Sequence, residues 1–254
     1  MRLGVIALGG LLALPTAATA QTGGFAMEPS PDLVPYSRFA VTPWVGMRLG
    51  YGSGDYFVFS EGTQYRVSEA RGGGPAVGVN LEGRIAGPLN AVAGVAYTAA
   101  DQDVFTFERI DGLVTTFNID GPAVLLAKAG LQYRLPDPTP DNRRFHPAAY
   151  LTVAPAMVVL DWPDYEAYEG VTDVTGRTTH FALNLGADAV SNIGTRGLGL
   201  SVGFETFLTF WNQDRIRVRD EILLGDLLEE TVRVDYDTRM SNLLMLRAGL
   251  SWRF

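Results

Sequence analysis

The sequence predicts an all-β chain: a transmembrane, up-and-down antiparallel barrel of eight strands with extracellular hairpin extensions. Three observations predict it. Segments of roughly ten residues alternate apolar and polar side chains and are separated by turn residues. Gly is frequent, at 29 residues, while charged residues make up only 19% of the chain, below the usual quarter. The final stretch, RAGLSWRF, puts Trp252 and Phe254 on one face and Arg253 on the other, where a chain end is ordinarily polar and frayed.

The first twenty residues stand apart. Met1-Arg2 is a positive start, Leu3 to Leu14 is an apolar run, and Ala18-Thr19-Ala20 supplies small residues before Gln21. This pattern predicts a cleaved signal peptide over 1–20, because the run is too short for a good membrane span. Residues 21–38 are rich in Pro and Gly and read as a flexible periplasmic lead-in. The barrel is expected over 39–254.

The first strand, about Phe39 to Tyr51, sets Val45, Met47, Leu49 and Tyr51 against Gly46, Arg48 and Gly50. The second, about Pro75 to Ala86, sets Val77, Val79, Leu81 and Ile85 against Asn80, Glu82 and Arg84. After a Gly87-Pro88 turn, the third (about Leu89 to Ala100) opposes Ala91, Ala93, Val95 and Tyr97 to Asn90, Gly94 and Thr98. The fourth, about Pro122 to Leu135, carries Leu125, Ala127, Leu131 and Tyr133 opposite Lys128, Gly130, Gln132 and Arg134; at Val124 and Leu126 both faces are apolar.

The fifth strand, about Pro147 to Leu160, alternates Leu151, Val153, Met157 and Val159 with Tyr150, Thr152 and Ala154, around an awkward Pro155. The sixth, about Thr178 to Val190, alternates Phe181, Leu183 and Leu185 with His180, Asn184 and Asp188. The seventh, about Gly197 to Trp211, opposes Leu200, Val202, Phe204 and Phe210 to Ser201, Gly203 and Glu205. The eighth starts near Met240 and opposes Leu244, Leu246, Leu250, Trp252 and Phe254 to Arg247, Gly249 and Arg253.

Period two alone leaves two homes for the apolar face: the inside of a soluble barrel or the lipid around a membrane barrel. Aromatic residues on the apolar parity gather at strand ends, with Tyr51, Tyr97 and Phe210 at one end and Tyr133, Trp252 and Phe254 at the other. Two such girdles flanking a Val, Leu and Ala band favour lipid. The opposite parity carries charges of both signs among glycines. Arg48, Glu82, Arg84, Lys128, Asp188, Glu205 and Arg247 are therefore expected to form an ion network in the lumen that plugs the barrel.

Loop lengths sort by side. Short turns share the side of the termini, while 52–74, 101–121, 161–177 and 212–239 are long and expected outside the cell. The first two read as hairpins turning at Glu61-Gly62 and Asp111-Gly112. RIRVR and TVRVDY read as the arms of another; were they to cross the membrane, the strand count would be ten.

Charge and composition exclude several classes. The net charge of −8 argues against a nucleic-acid partner. The absence of Cys excludes disulfides and acylation on Cys. Acidic residues at Asp161, Asp164, Glu166, Glu169 and Asp173 match no calcium-loop spacing and read as a solvated loop. No metal or cofactor is expected.

RAGLSWRF resembles the C-terminal assembly signal of outer-membrane β-barrels: a polar residue, Gly two positions later, then aromatics three and five beyond the Gly. Arg247, Gly249, Trp252 and Phe254 match it in register. From about Phe39 onward the chain is similar to the OmpA/OmpX type of small eight-stranded outer-membrane barrel, as a barrel with no periplasmic domain. The resemblance implies a monomer in the bacterial outer membrane, in contact with its lipid and lipopolysaccharide. It also implies recognition of the last strand by the barrel-assembly machinery.

Within that class two chemistries call for particular residues. A lipid A deacylase barrel would offer a His-x-Ser pair, whereas His146 is followed by Pro147-Ala148 and His180 by Phe181-Ala182. A palmitoyltransferase barrel would need a surface His with Asp and Ser, for which His180 with Asp173 or Asp161 is a poor match. The expectation is a non-enzymatic barrel serving envelope integrity or surface contact, reaching an extracellular protein through its hairpin edges. A lipid A-modifying enzyme and a narrow pore are the alternatives.

Overall fold

The structure is a computed structural model that describes residues 38–49, 51–60, 62–99, 102–109, 111–136, 147–164, 176–193, 197–210, 213–229, 231–235 and 240–254. The expected signal peptide and lead-in, the turn containing His146, and Glu166, Glu169 and Asp173 lie outside these residues.

In chain order the elements are β1 (Phe39–Leu49), β2 (Tyr51–Ser60), β3 (Thr63–Arg71), β4 (Gly74–Ala86), β5 (Leu89–Thr98), β6 (Gln102–Arg109), β7 (Val114–Asp120), β8 (Ala123–Arg134), β9 (Ala148–Asp161), β10 (Arg177–Asn192), β11 (Leu198–Phe210), α1 (Gln213–Leu228), β12 (Val232–Asp235) and β13 (Met240–Arg253). Eight of them close into an antiparallel barrel in the order β1-β13-β11-β10-β9-β8-β5-β4. The other five form a second sheet, β12-β2-β3-β6-β7, at the end of the barrel away from the chain termini.

Closure follows from chain order, because each barrel strand pairs with its neighbours along the sequence and β13 then pairs with β1, Val45 opposite Ala248. A closed sheet has no edge, so every strand can meet its hydrogen-bonding needs without water. Proline is tolerated on these terms. Pro43 and Pro155 both point outward, and each interrupts one ladder while the strand on its other side stays paired. In both cases the interrupted ladder resumes in the same register, as expected where a single N–H is missing.

The apolar parity faces outward. Val45 is 65% exposed and Leu246 49%, while their sequence neighbours Trp44 and Arg247 are 4% and 7% exposed. In water this continuous apolar wall would be far larger than a soluble monomer exposes. A ten-residue strand such as β5 is about 33 Å long, or about 25 Å high at a tilt near 40°, which matches the apolar band of a membrane barrel. The band is bordered by exposed Phe181, Phe210 and Tyr97 at the loop end, with Phe181 stacked on Phe210 at 5.9 Å. Phe39, Tyr133, Trp252 and Phe254 border it at the terminal end.

One sequence expectation is overturned. RIRVR and TVRVDY do not pair, because Gln213–Leu228 is helix α1 and only Val232–Asp235 is a strand, paired with β2. Leu223, Leu224, Leu227 and Leu228 recur at helical spacing, and Leu224 packs into the outer sheet. The short alternating run at Ile216 to Val218 gave a false period-two signal. The 212–239 segment therefore does not cross the membrane as a pair of strands, and the barrel has eight strands rather than ten.

Candidate functional site

The lumen is built in layers, and glycine makes room for the middle one. Arg247 faces Gly46 on one neighbouring strand and Gly203 on the other; Asp188 also faces Gly203, Glu205 faces Gly186, and Lys128 faces Gly94. Each long side chain therefore crosses a cross-strand neighbour that has no Cβ. Arg247 Nη2 donates to Asp188 Oδ2 at 2.7 Å and lies 2.9 Å from Glu205 Oε1. Lys128 Nζ bonds Glu205 Oε1 from across the lumen.

With its amide turned to suit, Asn80 accepts from Arg247 Nη1 at 2.5 Å, and the guanidinium stands 5.7 Å from the Trp44 ring. Two cations and two anions, none of these side chains more than 4% exposed, compensate one another away from water.

Above this layer, toward the loops, the interior is mostly apolar, with Arg48, Thr98, His180 and Thr209 also buried there. Val124, Leu126, Val158, Leu160, Phe207, Leu243 and Met245 fill it, each at most 1% exposed. The cavity left between the two layers, lined by Trp44, Asn80, Lys128, Glu205, Leu126 and Phe207 among others, is about 10 Å³. That is room for about one water molecule and not for a hydrated ion.

At the loop end α1 meets the barrel at Trp162. Arg219 lies over the Trp162 ring, its guanidinium carbon 3.4 Å from the centroid, and donates to Asp220 through Nε at 2.8 Å. Trp162 Nε1 in turn donates to Thr178 Oγ1 at 3.2 Å, and His180 Nε2 shares that hydroxyl at 3.1 Å. A cleft of about 670 Å³ beside Trp162 is lined by Asp120, Asp161 and Asp164, among others.

Of the seven residues expected in the lumen network, the structure brings together Lys128, Asp188, Glu205 and Arg247. Arg48 is buried at the loop end, its Nη1 3.4 Å from the Pro122 carbonyl oxygen. Glu82 is half-buried and outside the ion pairs, and Arg84 is exposed at the terminal end. His180 is 3% exposed inside the lumen, and Asp161 is held by Arg177 at 3.3 Å, so the two are engaged separately.

Sequence reasoning placed Asn80 on the polar parity without giving it a role, and did not find Trp44, Trp162 or Arg219. The signal for the apolar layer was present in the residues that are apolar on both parities, such as Val124 and Leu126.

The outer sheet has its own core of Tyr56, Val58, Val67, Phe105, Phe107, Leu224, Val232 and Val234. Phe107 meets Phe117 edge-on at 5.4 Å and Tyr65 at 6.5 Å. Its hairpins turn where expected, at Gly62 and Gly112, with φ of 82° and 85° that only glycine adopts without strain. Strand β12 lies at one edge, against α1. Strand β7 forms the other edge, and most of its residues are exposed. The run from Leu113 to Ile119 contains no Lys, Pro or other charge to blunt that edge.

These features decide the fold. It is that of a small outer-membrane-type β-barrel. No family model matches the chain, and no curated protein is similar to it in sequence. Among solved structures, Neisserial surface protein A (NspA) is 11% identical, with a TM-score of 0.37, covering 86% of this chain and 98% of its own. The outer membrane protein OprG from Pseudomonas aeruginosa is 7% identical, with a TM-score of 0.42, covering 88% and 99%. Ail, the attachment invasion locus protein of Yersinia pestis, is 10% identical, with a TM-score of 0.33, covering 84% and 98%.

Proposed function

We propose that this barrel is a non-enzymatic, monomeric protein of the Gram-negative outer membrane that serves surface contact or envelope integrity through its outer sheet. One observation carries the reading: the lumen is filled by an ion-paired layer and an apolar layer, while among the described residues no strand pairs with the outer side of β7, the last strand of the outer sheet. A filled lumen supports neither conduction nor a substrate pocket. An unblunted edge suits strand addition by an extended segment of an extracellular protein. The signal-peptide pattern and the terminal motif at Arg247, Gly249, Trp252 and Phe254 support export and handling by the barrel-assembly machinery. Lipopolysaccharide and inner-leaflet phospholipid would contact the apolar band.

The test replaces residues 102–120 with a short turn and compares cells carrying either form with cells lacking the gene. Loss of surface adhesion, with the barrel still folded by its unheated gel mobility, supports the reading. A gene-dependent change in lipid A mass would instead assign an acyl-modifying enzyme. Discrete, steady conductance steps of the intact protein in planar bilayers would assign a pore.

A further inference from the structure

We propose that the terminal end of the lumen is a binding site for a small oxyanion, a phosphate group, held by Arg253 with Tyr150 and Arg134. The first argument is charge. Among the described residues, the buried inward-facing side chains of the barrel strands include five basic ones (Arg48, Lys128, Arg134, Arg247 and Arg253) and two acidic ones (Asp188 and Glu205). Asp188 and Glu205 are committed to Arg247 and Lys128 in the middle layer, and Arg134 and Arg253 lie below it, toward the termini.

The second argument is the state of Arg253. Its side chain turns inward at 8% exposure, and Nη1 donates to Tyr150 Oη at 3.0 Å with the ring 5.6 Å away. Among the described residues, Nε and Nη2 have no hydrogen-bond partner. A buried guanidinium with two donors unmet is costly. Glu82 is the carboxylate placed to help, on the row that runs through Ala40 to Arg253, but the two form no ion pair.

Arg134, 3% exposed, lies directly opposite Tyr150 on β8, so a second guanidinium belongs to the same layer. Ser251, on the same face of β13, adds a buried hydroxyl without a partner. The inward neighbours Ala40, Ala148 and Gly199 are small. A planar donor fork, a second cation and a hydroxyl on one patch are the chemistry that takes a phosphate. A cation would be repelled.

The phosphate can be free or belong to a phospholipid headgroup, and the experiment separates the two. The full chain, refolded in phosphate-free lauryldimethylamine oxide, is titrated with inorganic phosphate by calorimetry, alone and with dihexanoyl phosphatidylglycerol present. Wild type, R253Q, R134Q and Y150F are compared, with unheated gel mobility as the folding control. Saturable uptake of phosphate, weakened about tenfold in R253Q and less in Y150F, supports the site. Persistence with the lipid present assigns a free anion, and displacement by it assigns the same guanidinium to a headgroup. If R253Q does not fold, R134Q is read in its place. Absence of saturable uptake by wild type, or equal uptake by the folded Arg variants, overturns the proposal.

Discussion

Gly249 faces Trp44 directly across the β1–β13 seam, where a Cβ at position 249 would lie 2.8 Å from the Cβ of Trp44 and would meet the Pro43 carbonyl oxygen. On its other side Trp44 faces Gly78, which likewise has no room for a Cβ beneath the indole. The glycine of the terminal motif thus makes the close approach through which the last strand closes on the first. G249V is expected to leave the barrel open, with no fast-migrating folded band on an unheated gel, while G249A gives a reduced fraction of that band.

Arg247 holds two carboxylates at once, so its loss leaves buried charge behind. R247M is expected to lower stability by about 3–5 kcal/mol. The double variant R247M/D188L removes both members of one pair and should cost less than R247M alone. Urea unfolding of the refolded protein in lipid vesicles measures both, and equal or additive losses would count against a coupled pair.

The outward face is tested at Val45, in the middle of β1 and 65% exposed. V45R places a charge in lipid and is expected to cost about 2–4 kcal/mol in vesicles. In a soluble barrel an exposed arginine would be harmless, so a neutral result would contradict the membrane reading.

Arg219 ties α1 to the barrel mouth through Trp162. R219A should loosen the helix while sparing the barrel. The expected outcome is faster cleavage within 213–228 by protease added to intact cells, with the folded gel mobility unchanged. The loss of a cation–π contact of about 0.5–2 kcal/mol is enough to move that rate several-fold.

Legibility differed between parts of the molecule for identifiable reasons. The parity of each strand could be read because charges and glycines share one face, and the hairpin tips could be read because Gly62 and Gly112 need positive φ. The helix at 213–228 was hidden by RIRVR, whose period two is local, while the leucines that pack it come later. The partner of Lys128 could not be read at all, since Glu205 lies on β11, on the far side of the closed barrel.

By itself the sequence determined the parity of each barrel strand and which glycines leave space, because alternation is a property of single strands and their neighbours. Only the tertiary structure decided that Arg247 meets both Asp188 and Glu205, that an apolar layer lies above them, and that α1 meets the barrel at Trp162. Those outcomes depend on which strands stand opposite one another once the cylinder closes, and on which buried charges can then reach each other at distances where their attraction offsets the loss of water.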